Sequence, residues 1–162
     1  MSYKHSMADK TFNRPEYDPD DLGEFIPNLV FVIMPFTGDG THETYAAIKD
    51  ECRKIKLNTR RVDENTGSGL IFDEITKLIE DAEFIICDLT HERPNVYYEL
   101  GYAHGIGNNN NDILLIAKEG TVLHFDISPF RVHFYRSTEH LRTIVNSNLK
   151  EMIHKTRKKK RA

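Results

Sequence analysis

The chain has 162 residues, of which 39% are hydrophobic and 29% charged, and this composition fits one globular domain and excludes a disordered or fibrous protein. The formal net charge of −3 argues against nucleic acid as a partner, because domains that bind nucleic acid are basic over their folded face. No apolar run approaches the roughly 18 residues that span a bilayer, and residues 1–10 lack the apolar stretch of a signal peptide. The sequence therefore predicts a cytoplasmic protein with no membrane partner.

Both ends of the chain differ in composition from its middle. Residues 1–27 contain few apolar residues and no periodicity, which predicts an extended N-terminal arm. Between Lys155 and Arg161, six of the seven residues are basic. Such a run can bind a polyanion, but it is more typical of a solvated tail that frays after a final helix. We therefore predict one domain over residues 28–154 and a basic tail over residues 155–162.

Within this domain, apolar runs alternate with stretches of helical periodicity. The first strand is a continuous apolar run that stops at Pro35, as expected of a strand buried on both faces. Thr41 and Asn95 are the predicted N-caps of the first and third helices. The predicted strands cover residues 29–34, 57–63, 84–87, 113–117 and 131–135. The predicted helices cover residues 41–56, 70–81, 96–106 and 138–153.

Strands separated by helices of this length indicate βαβ crossovers and a parallel sheet. The predicted fold class is α/β, a three-layer doubly wound parallel sheet of five strands. It is of the flavodoxin or Rossmann-like type, with strand order 2-1-3-4-5. In such sheets ligands bind outside the carboxyl ends of the strands, where the strand order reverses. The loops after the first three strands are therefore the predicted site.

The first two of these loops give weak signals. The loop from Met34 to Gly40 offers backbone N–H groups to an anion, although a plain turn with glycines explains it equally well. Asp63 follows the second strand, where a carboxylate can bind a sugar hydroxyl or simply begin a surface loop. Cys52 and Cys87 are interpreted as small core residues. The sequence contains no metal-binding motif, so we expect no metal and no cofactor.

The loop and helix after the third strand are more informative. Asp88 directly follows four apolar residues, so it lies at the strand end as a helix N-terminus partner or a ligand contact. Glu99 lies about one turn into the helix, with Tyr98 and Tyr102 expected to face the same cleft and its rim. A plain alternative for Glu99 is stabilisation of the helix dipole. Leu100 and Ala103 are expected to pack on the sheet, and Gly101 and Gly105 are expected to allow close helix–sheet contact.

These residues carry a family resemblance. Residues 28–136 resemble the nucleoside 2-deoxyribosyltransferase-like superfamily, including its TIR-like, nucleotide-binding bacterial branch. The matching segments are Val32-Ile33-Met34-Pro35-Phe36, Ile86-Cys87-Asp88-Leu89-Thr90, the stretch from Pro94 to His104, and the stretch from Phe125 to Arg131. Tyr-Glu-Leu-Gly-Tyr-Ala, which ends at Ala103, is the most specific of these pieces.

The resemblance implies cleavage or transfer of an N-glycosidic bond of a nucleoside or nucleotide, with Glu99 as the nucleophile. Asp88 would then bind or orient the sugar or base, and Tyr98 or Tyr102 would stack on the base or buttress Glu99. Arg93 stands where the transferases often carry an acid that contacts the sugar, and an arginine there favours a phosphate, hence a nucleotide. The full predicted set of substrate-binding residues is Met34, Pro35, Phe36, Asp63, Arg93, Asn95, Tyr98 and Tyr102.

Related folds often complete such a site with residues of a neighbour, so the resemblance also predicts a homo-oligomer. The alternative function is a nucleotide-sensing or signalling module of the same TIR-like fold with little or no turnover. A third possibility, a nucleic-acid-binding protein, depends only on the basic run that begins at Lys155.

Overall fold

The computed structural model describes residues 25–62, 70–108 and 112–159, except the side chains of residues 70, 71 and 159. Asp63 therefore lies outside the described residues. A short 3₁₀ turn, Phe125–Ile127, precedes the last strand. The main elements are β1 (Ile26–Ile33), α1 (Thr41–Lys54), β2 (Asn58–Arg60), α2 (Leu70–Asp81), β3 (Ala82–Asp88), α3 (Pro94–Gly105), β4 (Ile113–Lys118), β5 (Val132–Tyr135) and α4 (Thr138–Lys159).

The five strands form one parallel sheet in the order β2-β1-β3-β4-β5. The register pairs Phe31 with Ile85 at its centre, and every residue of β3 is buried. This confirms the predicted doubly wound α/β fold and its strand order. Because residues 29–33 of β1 and 84–87 of β3 are buried on both faces of the sheet, these stretches are continuous apolar runs rather than alternating ones.

The side chains of the central strands alternate between two cores, one on each face of the sheet. Phe84 and Ile86 of β3 pack in the core under α1 and α4. Ile85 and Cys87 pack in the core under α2 and α3, with Leu100 of α3. Each large apolar side chain buried in this way contributes roughly 1.5–3 kcal/mol. The two cores hold the helices on the sheet and thereby fix which residues of α3 face outward.

Two helix starts differ from the sequence prediction. Gly40, with φ 77°, is the N-cap of α1, and Thr41 is its first helical residue, whose hydroxyl donates to the Gly38 carbonyl at 3.0 Å. Arg93 is the N-cap of α3, so Asn95 lies inside the first turn. The helix begins at Pro94 because the fixed φ of proline suits the first helical position, where the missing N–H has no intrahelical partner.

Three further expectations also change. Helix α4 continues to Lys159, where a fraying tail from residue 155 was expected, and a Glu151–Lys155 ion pair at 2.5 Å supports its last turns. Strand β2 is shorter than predicted. Gly101 and Gly105 are exposed, and a Cβ at either position would meet nothing within 4 Å, so the expected close packing there is wrong.

Candidate functional site

Helix α3 sets the orientation of Glu99. Leu100 and Ala103 are fully buried against the sheet, as predicted. Glu99 lies one turn before Ala103 and about 100° from Leu100, so it sits at the border of the sheet-facing surface, on the side of the neighbouring helix α2. Its side chain is half-buried. The helix thus presents a carboxylate to the space between α2 and α3.

That space is a cavity of about 340 Å³. Apart from Glu99, the described residues that line it carry no carboxylate. Burial raises the pKa of Glu99 from 4.5 to about 7, and a hydrogen bond with the Asn95 side chain opposes this rise only in part. The described lining residues are Phe72, Ile75, Thr76, Ile79, Asn95, Tyr98, Glu99 and Tyr102. Near neutral pH this carboxyl group therefore populates both its protonated and its ionised form.

Aromatic side chains form the rim of the Glu99 cavity. Tyr98 is 63% exposed and Phe72 is 50% exposed, and their ring centroids are 6.1 Å apart. The Tyr102 hydroxyl donates to Glu80 of α2. Burial, together with this bond to Glu80, raises the pKa of Tyr102 to about 12, so the phenol stays neutral. The rim therefore offers flat apolar faces beside a titratable acid.

Asp88 lies at the carboxyl end of β3, but its side chain points away from the Glu99 cavity. Side chains alternate along a strand, so Asp88 shares the α1 and α4 face with Ile86, whereas the Glu99 cavity lies on the opposite face. Asp88 is only 2% exposed, and its Oδ1 accepts hydrogen bonds from the Thr90 backbone N–H at 3.0 Å and hydroxyl at 2.5 Å. Burial raises the pKa of Asp88, and the bonds from Thr90 oppose this effect. The structure does not bring Asp88 and Glu99 into one cavity.

Thr90 connects the ends of three strands. Its hydroxyl oxygen accepts a hydrogen bond from the Lys118 backbone N–H at 2.9 Å, at the end of β4. It also lies 3.2 Å from the Tyr135 hydroxyl, at the end of β5. Because the Thr90 proton is directed to Asp88, the tyrosine donates in this contact. Asp88 thus belongs to a hydrogen-bond network that links the carboxyl ends of β3, β4 and β5.

The loop after β1 lies at the same edge. Met34 is buried in the core under α1 and α4, Pro35 is buried, and Phe36 is half-buried against the other core. Gly38 has φ 141°, and a Cβ there would lie 3.0 Å from the His91 ring. Only glycine permits both this backbone conformation and the close approach of His91. None of Met34, Pro35 and Phe36 is among the described residues that line the Glu99 cavity.

Arg61 was not singled out from the sequence, although it directly follows β2. Its guanidinium carbon lies 4.2 Å from the centre of the Tyr45 ring and 5.8 Å from that of Phe36. Its Nη1 is 3.9 Å from the Met34 sulfur. These contacts hold a cation at the carboxyl edge of the sheet. The available signal was a basic residue near the carboxyl end of the predicted strand over residues 57–63.

The sequence prediction differs from the structure at Arg93 and on the α2 side of the cavity. Arg93 is exposed at the start of α3 and is not among the described residues that line the Glu99 cavity. The stripe of α2 that includes Phe72 and Thr76 was missed. Its signal was helical spacing alongside Ile75 and Ile79, which belong to the predicted apolar face.

Two absences apply to the described residues only. They contain no group of three or more histidine, cysteine, aspartate or glutamate side chains placed to hold a metal ion. No helix among residues 25–62, 70–108 and 112–159 is both long enough and apolar enough to cross a membrane. Cys52 and Cys87 are both free and buried.

The fold and this geometry define a doubly wound α/β domain whose side cavity combines one titratable glutamate with aromatic walls. Among solved structures, the chain is similar to a CMP N-glycosidase, BcmB, from Clostridium botulinum. The TM-score is 0.55 and the identity 15%, over 72% of this chain and 97% of that chain. At this identity the likeness establishes the fold.

A second solved structure is a diflavin flavoprotein from Nostoc sp., with a TM-score of 0.47 and 13% identity over 74% of this chain and 86% of that chain. This likeness is too weak to support any inference. No protein-family model and no curated protein sequence matches the chain.

Proposed function

We propose that this protein cleaves the N-glycosidic bond of a nucleoside or nucleotide, and that the Glu99 carboxylate is the nucleophile. The observation that carries the proposal is a half-buried glutamate in a cavity of about 340 Å³, with its pKa raised by burial to about 7. A cavity of this size falls at the lower end of the range for small-molecule sites. Perturbed carboxyl groups in such cavities are frequent in active sites.

The chemistry requires a carboxylate close to the sugar. Ionised Glu99 attacks C1′ as the C1′–N bond breaks, and the departing base takes the bonding electrons and a proton from solvent water. Positive charge develops on the sugar ring in the transition state, and a carboxylate in an apolar cavity stabilises that charge strongly. Water then hydrolyses the glycosyl ester and regenerates the carboxylate. Hydrolysis and transfer to a second base differ only in this last acceptor.

The aromatic rim of the Glu99 cavity fits the base of a nucleoside or nucleotide. Phe72 and Tyr98 are both largely exposed beside Glu99, and an aromatic face of this kind stacks on a nucleobase. Arg93, exposed at the N-cap of α3 and outside the described lining of the cavity, is the candidate cation for a 5′-phosphate. The similar structure from Clostridium botulinum is named as acting on CMP, which places pyrimidine nucleoside monophosphates first among the substrates to test.

The test is incubation of the full chain with a panel of nucleosides, nucleoside monophosphates and NAD, followed by chromatography for free base. We expect base release from at least one member of the panel, and its loss in Glu99→Gln, which keeps the shape of the side chain but cannot attack C1′. Glu74→Gln is the matched control, because Glu74 is exposed on α2 and does not line the cavity.

Two results would contradict the proposal. One is the absence of base release from every compound in the panel by well-folded protein. The other is release that continues unchanged in Glu99→Gln, since the nucleophile would then be a different group.

The second candidate is a nucleotide-binding sensor of the same fold with little or no turnover. One observation favours it: Glu99 is the only carboxylate among the described lining residues, whereas glycosidases generally use two. A sensor would bind one of these nucleotides tightly, release no base, and retain its affinity in Glu99→Gln. The same panel, read by calorimetry as well as chromatography, separates the two candidates.

A further inference from the structure

A second cavity lies at the opposite edge of the sheet, away from the strand ends that carry Asp88 and Arg61. It has a volume of about 240 Å³. Ile113 and His133 line it from the beginnings of β4 and β5, and His104 lines it from the last turn of α3. Helix α4 closes one side with Glu151 and Lys155. We call this space the basic cavity.

Basic side chains outnumber acidic ones in the lining of the basic cavity. Arg131, His133 and Lys155 are basic, and Glu151 is the only acid among the described lining residues. Glu151 is already engaged, because its Oε1 lies 2.5 Å from the Lys155 Nζ. Within the described part of the chain, neither the Arg131 nor the His133 side chain makes a hydrogen bond or an ion pair. The cavity therefore holds two basic side chains with unused donors beside a neutralised pair.

The surroundings of His133 favour its neutral form. Burial lowers the pKa of His133, the charge of Arg131 lowers it further, and Glu151 opposes both effects. Among the lining residues, the other titratable groups near it are His104 on α3 and Lys155 on α4. An anion placed among these side chains would accept hydrogen bonds from the exposed Arg131 and offset its repulsion of the His133 imidazolium.

The remaining wall is flat and apolar. The His104 ring stacks on Phe130 with centroids 4.9 Å apart and an interplanar angle of 13°. Burial lowers the pKa of His104, so this ring is neutral near pH 7 and adds no further charge. Lys155, the first residue of the basic run in the sequence, is also one of the lining residues of this cavity.

We propose that the basic cavity binds a small phosphate-bearing anion, either free phosphate or a phosphate monoester. The planar fork of Arg131 matches two phosphate oxygens, and Lys155 and His133 donate to the others. Its volume suits a phosphate with a short carbon chain or sugar and is below that typical of larger ligands. This site does not depend on Glu99 or on the proposed cleavage reaction.

The test is a titration of the full chain with inorganic phosphate and, separately, with ribose 5-phosphate, followed by NMR of the histidine side chains near pH 6.5. We expect saturable shifts of the His133 imidazole and a rise in its pKa, because an anion stabilises the imidazolium form. Tighter binding of ribose 5-phosphate identifies a phosphate monoester as the ligand, and equal or weaker binding identifies free phosphate.

Two matched variants distinguish phosphate binding in the basic cavity from nonspecific attraction of phosphate to basic side chains. Arg131→Gln should weaken phosphate binding roughly tenfold or more, since it removes charge-assisted hydrogen bonds. Arg136→Gln is the control, because Arg136 is an exposed arginine beyond β5 that does not line the cavity. Circular dichroism verifies that each variant is folded, and Glu99→Gln should bind phosphate like the unmodified chain.

The proposal fails if His133 shows no saturable response to either compound up to about 10 mM, which corresponds to less than 3 kcal/mol of binding. It also fails if Arg131→Gln and Arg136→Gln reduce binding equally, since that result describes nonspecific attraction. If the unmodified chain binds phosphate but releases base from no compound of the panel, only the proposed Glu99 chemistry is contradicted.

Discussion

Replacing Glu99 by glutamine should stabilise the protein at alkaline pH and leave its stability nearly unchanged at pH 5. The pKa of Glu99 is about 7 in the folded chain, against 4.5 for the ordinary carboxyl group. The folded protein therefore holds a proton at this site between those two values that the unfolded chain has lost. Proton linkage then makes the free energy of unfolding fall as pH rises through this window, and the full loss is present above pH 7.

The magnitude follows from the distance between the two pKa values. Each pH unit between them corresponds to about 1.4 kcal/mol, which sets an upper limit of about 3 kcal/mol. The side chain is half-buried rather than fully buried, so solvent screening reduces this, and we expect about 1–2 kcal/mol. In a chain of this length such a difference raises the melting temperature by a few degrees.

The assay is urea unfolding of the unmodified chain, Glu99→Gln and the control Glu74→Gln at pH 5 and at pH 8.5. The informative quantity is the change in the Glu99→Gln difference between the two pH values. A difference that is the same at both pH values would refute the reasoning, and so would an unmodified chain that is the more stable one at pH 8.5. Either result would mean that the carboxylate is not desolvated in the folded protein.

Three further predictions follow from the same structure. If base release occurs, kcat/KM should rise with pH and level off above about 7, because only ionised Glu99 attacks C1′, and a falling profile would instead indicate a general acid. Thr90→Val should cost about 1–3 kcal/mol in urea unfolding, since Asp88 loses a donor, and Thr143→Val on the exposed face of α4 should change stability by less than about 0.5 kcal/mol. Phe84→Ala should cost about 3–5 kcal/mol by the same measurement, and the partly exposed Phe134→Ala should cost clearly less.

Most of the fold was predictable from the sequence. Residues 29–33 of β1 and 84–87 of β3 are apolar without interruption, and short runs of this kind favour strands buried on both faces within a parallel sheet. The alternation with helices predicted a parallel sheet, and its five strands suggested the flavodoxin-type order. Helix starts were less predictable, because Gly40 and Arg93 act as N-caps without any side-chain hydrogen bond, so the usual signal of a capping residue was absent.

The candidate site was predictable only in part. The position of Glu99 followed from the helical period relative to Leu100 and Ala103. The direction of Asp88 was not evident, because a residue at a strand end can turn to either face, and here Thr90 holds it inward. The contribution of Phe72 depends on how α2 and α3 pack together, which no local pattern reveals. The roles of Glu99 and the other predicted binding residues, the domain limits and the homo-oligomer all stay predictions.

The lengths of the strands have a consequence for how the protein behaves at high concentration. The two edge strands of the sheet are its shortest strands: β2 has three residues and β5 has four, whereas β1 has eight. A border strand exposes unpaired amide and carbonyl groups, on which a further chain can add by backbone pairing. Borders this short give an incoming strand few such groups, so the architecture itself limits edge-to-edge aggregation.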